Sequence, residues 1–217
     1  MSAHLDEAAA KALLAGYGVP VVTELRVLDA EAAVAAAQSI GYPVVLKGIG
    51  AGLAHKTELG LVVLDLRDAA AVRAAAARLL DALQGCGSLL VQRMVAGRRE
   101  LLAGFSRDPQ FGPVVTFGLG GIFAEALADV SLRVCPLTEY AARDMLDEIR
   151  ARALLGPVRG LPAVNRDALV RILLGLSRLA LERPDIAAVD INPLVIDGAD
   201  PVAVDALVVL HPVNAGN

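Results

Sequence analysis

The sequence predicts a mixed α/β (α+β) protein built from two lobes. Strand-like apolar runs alternate with alanine-rich helical segments along the first 95 residues, and closely spaced strands follow from Gly97 onward. A chain of 217 residues is long enough for two small lobes that each bury an apolar core. We therefore expect an N-terminal lobe over residues 1–95 and a C-terminal lobe over residues 96–217.

The elements of the N-terminal lobe follow from capping residues and apolar periodicity. An opening amphipathic helix ends at the Gly-Tyr-Gly-Val-Pro turn of residues 16–20. Asp29 and Asp68 precede two helical segments and are typical N-caps. Strands are predicted at residues 21–28, 42–48, 61–66 and 89–95. Lys47 is therefore expected near the end of a compact apolar strand.

The elements of the C-terminal lobe are predicted in the same way. Thr138 and Asn165 are the expected caps of two further helices. A closing hairpin is predicted across the Asp-Gly-Ala-Asp turn of residues 197–200. Strands are predicted at residues 100–106 and 114–117, followed by residues 118–121 and a short segment that ends at residue 133. The two strands of the closing hairpin are predicted at residues 186–196 and 202–209.

Composition excludes several classes of protein. A net charge of −4 without basic clusters, together with 3% aromatic residues, argues against nucleic acid as a partner. No apolar run approaches the roughly 18 residues that a membrane span requires. Residues 1–6 lack the basic and apolar stretches of a secretory signal, so we expect a cytoplasmic protein. Cys86 and Cys135 are far apart, which predicts two buried thiols and no disulfide.

Lysine is scarce in this chain. Of the 20 basic side chains, only Lys11, Lys47 and Lys56 are lysines. A lysine offers phosphate oxygens a compact point charge, whereas arginine offers a planar fork. Lys47 and Lys56 are therefore candidates for phosphate contacts, and we interpret Lys11 as a lysine left by chance.

The closing hairpin predicts a metal site. A turn centred between Gly198 and Ala199 places Asn192 directly opposite Asp205, with Cβ atoms about 4.5–5.5 Å apart. Asp190 shares their face of the hairpin. Amide and carboxylate oxygens are suitable ligands for magnesium, whose other positions go to water and phosphate. An exposed polar face of an edge hairpin explains these residues equally well, so both interpretations stay open here.

Two glycine-rich connections are candidate phosphate loops. The first, residues 48–52, leads to His55 and Lys56, and its backbone N–H groups are suited to approach phosphate oxygens. His55 is a candidate nucleophile or proton carrier because imidazole titrates near neutral pH, and a solvated loop histidine is the alternative. The second, residues 118–121 followed by Glu125, is either another phosphate-facing loop or a tight turn between strands. Neither a P-loop nor a dinucleotide fingerprint is present.

Several of these stretches occur in a recognisable order along the chain. They are GYPVVLK at 41–47, HKTELG at 55–60, RDPQFGPV with FGLGGIF at 107–114 and 117–123, and DINPL at 190–194. The chain resembles, over nearly its whole length, the ATP-grasp subunit or domain of ADP-forming acetyl-CoA and acyl-CoA synthetases. The last stretch is also similar to the metal-binding segment of succinyl-CoA synthetase. The resemblance implies a two-lobed ATP-grasp fold that closes on a nucleotide.

The resemblance also implies ligands and the residues that bind them. The cofactors would be Mg²⁺ and ATP or ADP, with Lys47 on the nucleotide phosphates, residues 92–95 beside the adenine and Glu100 near the ribose. Magnesium would be held by Asn192 and Asp205, with Asp190 beside them. The implied nucleotide-binding residues are Lys47, Gln92, Met94, Val95, Glu100, Gly120, Gly121 and Glu125.

The implied reaction is acyl-CoA + ADP + phosphate ⇌ carboxylic acid + CoA + ATP. His55 matches the family histidine that accepts a phosphoryl group relayed from the partner, and Lys56 follows it. The acyl-CoA chemistry would belong to a CoA-binding alpha subunit in a hetero-oligomer. The residues at 48–53 replace a Ser-Pro-containing loop common in the family, and Leu61 stands where a second glycine is frequent.

Two other functions are compatible with this resemblance. Related domains fused to protein acetyltransferases serve as regulatory modules, although Lys47, His55, Asn192 and Asp205 are all retained in this chain. A carboxylate–amine or carboxylate–thiol ATP-grasp ligase is the other alternative, and such ligases usually carry an additional N-terminal substrate lobe.

Overall fold

The chain divides after Val95 into two units, in a computed structural model that describes residues 4–50, 59–121 and 127–212. One unit comprises Asp6–Ala8 and Val22–Val95, and the other comprises Met1–Leu5, Ala9–Val21 and Ala96–Asn217. The opening residues therefore group mainly with the C-terminal unit, because most of the first helix packs into its core. The assignment of 1–95 and 96–217 as two nucleotide-binding lobes stays a prediction.

In its described residues, the N-terminal unit has a four-stranded antiparallel sheet in the order β1-β4-β2-β3. Its strands are β1 (Glu24–Val27), β2 (Val44–Ile49), β3 (Val62–Leu66) and β4 (Ser88–Arg93), and its helices are α2 (Ala30–Ile40) and α3 (Ala69–Leu83). Alanines and branched residues of both helices are buried with strand residues in one core. Every side chain of β2 is buried, so Lys47 lies inside the unit.

The described part of the C-terminal unit has a six-stranded antiparallel sheet in the order β10-β8-β5-β6-β7, with β9 also paired to β8. The strands are β5 (Glu100–Asp108), β6 (Gly112–Leu119), β7 (Val130–Val134), β8 (Ile186–Asp197), β9 (Asp200–Ala203) and β10 (Leu207–Leu210). The helices are α4 (Glu139–Glu148) and α5 (Arg166–Glu182), with a 3₁₀ helix at Arg150–Leu155 and the part of α1 (Glu7–Gly16) that begins at Ala9. Residues of α1, α4 and α5 share one apolar core with the sheet.

The four predicted helix caps are confirmed. Asp29 and Asp68 each accept a 2.8 Å hydrogen bond from the backbone N–H three residues further on. Thr138 and Asn165 accept equivalent bonds of 3.1 Å. These bonds satisfy N–H groups that have no partner within the first helical turn, which is why the cap residues fix where each helix begins.

The predicted register of the closing hairpin is observed, although its return strand is interrupted. Leu194 pairs with Ala203 and Asp197 pairs with Asp200, as a turn centred between Gly198 and Ala199 requires. The same register resumes where Asp190 pairs with Leu207. The return strand predicted at residues 202–209 is thus two strands, β9 and β10, separated by residues 204–206.

Arg107 gives the RDPQFGPV stretch a structural explanation. Its guanidinium donates to the carbonyl oxygens of Ala180 at 2.7 Å, Arg183 at 3.0 Å and Ile186 at 2.7 Å, at the end of α5. Asp108 accepts two backbone N–H bonds in the following turn. The stretch therefore closes the β5–β6 hairpin and caps a helix.

Two smaller expectations have different outcomes. The cysteines were expected to be buried, and this is wrong, because Cys86 is exposed and Cys135 is half-buried. Cys86 follows the end of α3 in a turn at the surface, where no apolar layer covers it. No helix in the described parts of the chain is long and apolar enough to cross a membrane.

Candidate nucleotide-binding site

Lys47 is held in a buried ion pair. Its Nζ lies 2.6 Å from Oε1 of Glu7, and the two side chains are 7% and 1% exposed. Glu7 is the acidic residue in the first turn of α1. Two buried opposite charges offset part of each other's cost of desolvation. A phosphate that reaches this ammonium would therefore share it with Glu7 or replace Glu7 beside it.

The segment Gln92 to Val95 is fixed mainly through its backbone. Gln92 is buried in β4, paired with Glu24 on one side and Val45 on the other. The N–H of Met94 donates to the Pro43 carbonyl oxygen at 3.1 Å. The Met94 N–H is thus already hydrogen-bonded within the N-terminal unit. Met94 and Val95 themselves are half-buried at the end of this unit.

The C-terminal unit brings three predicted nucleotide-binding residues together. Glu100 begins β5, and its carbonyl oxygen accepts a 2.9 Å bond from the N–H of Gly120. With Gly121, Arg98 and other neighbours they line a cavity of about 400 Å³. Cavities of this size are typical of small-molecule sites. The sequence alone had left open whether residues 118–121 form a phosphate loop or a turn, and their position beside a cavity favours a ligand-facing loop.

The glycines of this loop are required by close approach. A Cβ on Gly120 would lie 2.3 Å from the Leu101 carbonyl oxygen. A Cβ on Gly121 would lie 2.1 Å from Oε2 of Glu100, and the φ of Gly121 is +74°. Side chains avoid both this contact distance and this backbone conformation. An alanine at position 121 would therefore displace the Glu100 carboxylate and take an unfavourable backbone conformation.

Asn192 connects the loop to the predicted metal site. Its Oδ1 accepts a 3.1 Å hydrogen bond from the N–H of Gly121. Asn192 lies in β8, across from the interruption that contains Asp205. Oδ1 of Asp205 accepts a 2.9 Å bond from the N–H of Ala206. Carboxylate and amide oxygens accept more than one bond, so these hydrogen bonds do not exclude a cation at the same oxygens.

Asp190 lies near enough to Asp205 for their charges to interact. Burial alternates in this part of β8. Val189 and Ile191 are buried, and Asp190 between them is exposed to solvent. Desolvation by surrounding protein atoms nevertheless raises the pKa of Asp190, and the negative charge of Asp205 raises it further. Two neighbouring carboxylates repel each other unless a cation lies between them.

These residues fit a magnesium ion. Their donors are all hard oxygens. One amide and two carboxylates supply only part of the coordination shell, so several positions remain for water and phosphate, as magnesium prefers. Among residues 4–50, 59–121 and 127–212, no group of three or more His, Cys, Asp or Glu side chains is arranged to hold a metal.

Three predicted site residues lie outside the described residues. They are His55 and Lys56, which follow β2 in the sequence, and Glu125, which follows Gly121 in the sequence. Their assigned roles stay predictions.

Sequence reasoning missed two charged residues next to the site residues. Glu7 pairs with Lys47, and its only local signal was an acidic residue in an alanine-rich first turn. Lys11 was interpreted as a lysine left by chance, and this is wrong. Its side chain is fully buried, and its Nζ donates to the Val204 carbonyl oxygen at 3.4 Å.

Comparisons with known proteins show the family to which the chain belongs. A family profile described as the ATP-grasp domain matches residues 1–210. The beta subunit of acetate–CoA ligase (ADP-forming) I of Pyrococcus furiosus is 39% identical over 212 residues, which cover 95% of this chain and 91% of that subunit. The chain therefore belongs to the ATP-grasp family and, within it, to the beta subunits of ADP-forming acetate–CoA ligases. The predicted fold class and ligase class are confirmed.

Solved structures extend the comparison. The dinucleotide-forming acetyl-coenzyme A synthetase 1 of Ca. Korarchaeum cryptofilum, in complex with coenzyme A, Ca-AMPCP and HgCl⁺, has a TM-score of 0.91 at 36% identity and covers 96% of this chain and 94% of its own. A selenomethionine form with coenzyme A and Mg-AMPPCP has a TM-score of 0.84 at 38% identity, covering 96% and 93%. Its phosphohistidine segment is described as pointing towards the nucleotide binding site.

Proposed function

We propose that this chain binds a magnesium nucleotide and performs the ADP-phosphorylating part of the reaction acyl-CoA + ADP + phosphate ⇌ carboxylic acid + CoA + ATP. The observation that carries this proposal is that Glu100 and Gly121 line one cavity and that Asn192 accepts a hydrogen bond from the N–H of Gly121. A carboxylate suits ribose hydroxyls, a glycine loop suits phosphates, and an amide oxygen suits a metal. The relatives' complexes with Mg-AMPPCP and Ca-AMPCP support the same ligand class.

Each side chain has a distinct role in this proposal. Lys47 contributes positive charge to the nucleotide phosphates, and Glu7 holds its ammonium in place. Asn192, Asp205 and Asp190 hold magnesium, which neutralises phosphate charge as the terminal phosphoryl group moves. The backbone of residues 92–95 lies beside the adenine. Glu100 accepts hydrogen bonds from the ribose, Gly120 and Gly121 face the phosphates, and Glu125 is a further nucleotide-binding residue.

The phosphoryl group reaches the nucleotide on His55. The unprotonated ring nitrogen of His55 attacks the phosphorus of an acyl phosphate, the N–P bond forms, and the carboxylate leaves with the electrons of the broken P–O bond. A terminal phosphate oxygen of ADP then attacks the same phosphorus, releasing the imidazole and forming ATP. Lys56 offsets the charge of the phosphorylated ring. The phosphohistidine segment of the Korarchaeum enzyme supports such a relay.

Acyl-CoA binding is assigned to a companion CoA-binding alpha subunit. The Pyrococcus relative is named subunit beta, so it functions as part of a hetero-oligomer. The identity of the acid is then set mainly by the companion subunit, since that subunit holds the acyl group.

A direct experiment uses the chain alone and with its companion. Titration calorimetry of the purified chain should detect ADP binding that strengthens with Mg²⁺ and weakens in EDTA. Co-expression with the CoA-binding subunit should restore ATP formation from acetyl-CoA, ADP and phosphate. Robust acyl-CoA turnover by the single chain, or no binding of ADP under any metal condition, would contradict the proposal.

A further inference from the structure

Lys11 is an unusual buried cation in the C-terminal unit. It is only 1% exposed, and it is among the largest fully buried side chains in the described residues. Burial of an ammonium is unfavourable unless protein groups replace its hydration. Its Nζ donates to the Val204 carbonyl oxygen at 3.4 Å, a contact between residues 193 positions apart. A buried lysine that bonds a backbone carbonyl so distant in sequence helps to fix the position of that carbonyl.

The segment that Lys11 contacts interrupts the return strand of the hairpin. β9 and β10 pair with β8 on either side of residues 204–206, and the pairs Leu194–Ala203 and Asp190–Leu207 keep the same register across the interruption. Within it, the N–H of Val204 donates to the Pro193 carbonyl oxygen at 3.4 Å. The N–H of Ala206 turns to the Asp205 carboxylate instead of to β8. The conformation of this segment therefore depends on contacts other than the regular ladder.

The backbone of Lys11 is itself firmly fixed. Its helix neighbours Ala10 and Leu14 are both 0% exposed and belong to the core of the C-terminal unit. The backbone from which the Lys11 side chain extends is therefore immobilised by core packing. A side chain on such a backbone can orient a less regular segment that it contacts.

We propose that Lys11 is a positioning residue for Asp205. Its ammonium fixes the Val204 carbonyl and thereby holds the Asp205 carboxylate across from Asn192, in the geometry that receives Mg²⁺. The proposal rests on the metal assignment made under Proposed function. Groups that orient metal ligands without touching the metal contribute strongly to metal affinity.

The test is a Mg²⁺ titration of ADP binding, followed by calorimetry, with the metal-free affinity measured in EDTA. Lys11→Met keeps the length and apolar stem of the side chain but removes the charge and the donor. We expect the Mg²⁺ concentration at half effect to rise by roughly 10-fold or more. The ADP affinity in EDTA should stay unchanged. Lys11→Arg, which keeps charge and donors, should recover a large part of the loss.

Three further variants make the outcomes distinguishable. Ala10→Gly destabilises the same helical turn without removing the ammonium, so its Mg²⁺ dependence should match the wild type. An equal loss in Ala10→Gly would mean that general instability explains the Lys11 effect and would overturn the proposal. Lys11→Gln removes the charge but keeps an N–H donor, so it should lose less Mg²⁺ dependence than Lys11→Met, and a folded Lys11→Met protein with wild-type Mg²⁺ dependence would also overturn the proposal.

Asp205→Asn separates this inference from the proposed function. If Asp205→Asn loses the Mg²⁺ effect while Lys11→Met retains it, the role of Lys11 is wrong and the metal site stands. If Asp205→Asn keeps the full Mg²⁺ effect, the metal assignment itself is wrong and the role of Lys11 falls with it. Equal losses in Asp205→Asn, Lys11→Met and the double variant would support action through one group.

Discussion

The amide oxygen of Asn192 accepts a 3.1 Å hydrogen bond from the backbone N–H of Gly121. Because a backbone N–H can only donate, this bond requires the oxygen of the amide, and not its nitrogen, to point toward the loop. The oxygen is also the atom that a hard cation needs. One contact thus orients the predicted metal ligand and ties it to the loop beside Glu100.

The first prediction concerns Gly121→Ala. A Cβ at this position would lie 2.1 Å from Oε2 of Glu100, so Glu100 must move. We expect ADP affinity to fall by about 10-fold, the scale of one lost hydrogen bond to a charged group. Gly198→Ala is the matched control, because its φ is +64° and nothing lies within 4 Å of the added methyl group. Both variants should lose about 1 kcal/mol of stability to backbone strain. Equal ADP affinities in the two variants would remove Gly121 and Glu100 from the site.

The second prediction concerns the metal ligands. Asp205→Asn keeps the shape of the side chain but removes its charge, so the strengthening of ADP binding by Mg²⁺ should fall by about 10-fold or more. Asp190→Asn should have a smaller effect in the same direction, because Asp190 is exposed and water screens its charge. Calorimetry at several Mg²⁺ concentrations measures both. Asp81→Asn, on the exposed surface of α3, should behave as the wild type.

The sequence carried enough information for the elements and for the hairpin, because both depend on local chemistry. Asp29 caps its helix by accepting a bond from the N–H only three residues further on. A short turn likewise fixes which residues of β8 and β9 oppose each other. The pairing of Lys47 with Glu7 and the contact of Lys11 with Val204 join residues 40 and 193 positions apart. Such contacts arise from packing between elements, which leaves no periodic pattern along the chain.

The third prediction concerns the ion pair of Lys47 and Glu7. Lys47→Met leaves the Glu7 carboxylate buried without its cation, so the free energy of unfolding should fall by about 3–5 kcal/mol. The double variant Lys47→Met/Glu7→Gln removes both charges and should recover much of that loss. Urea unfolding measures the coupling. Additive losses in the double variant would show that the pair contributes no coupling.

The same double variant also tests whether Lys47 contacts the nucleotide phosphates, because it removes the Glu7 charge together with the Lys47 charge. Wild-type protein should bind ADP more tightly than adenosine because Lys47 contributes a charge-assisted hydrogen bond of about 1.5–3 kcal/mol. The double variant should lose about that much of the preference. An undiminished preference for ADP over adenosine would assign the phosphate contacts to other residues.

The fourth prediction separates structure from function in the RDPQFGPV stretch. Arg107→Met removes three hydrogen bonds to carbonyls at the end of α5, so the free energy of unfolding should fall by about 3 kcal/mol. ADP affinity of the folded protein should not change, because Arg107 contacts no predicted ligand group. Arg171→Met, on the exposed face of α5, should shift stability by less than about 0.5 kcal/mol. A loss of ADP affinity without a loss of stability in Arg107→Met would give this stretch a functional role.

The last prediction is that His55 carries the phosphoryl group. An acyl phosphate formed on a separate subunit needs a carrier to reach ADP, and a neutral imidazole is a competent nucleophile at physiological pH. The chain contains three histidines, so acid-labile label from γ-³²P-ATP can be assigned by substitution. His55→Ala should still bind Mg-ADP but lose the label and the overall turnover with the companion subunit. His4→Ala and His211→Ala should keep both, because neither residue lies in the glycine-flanked loop after β2. Wild-type turnover in His55→Ala would show that another residue, on this chain or on its companion, carries the phosphate.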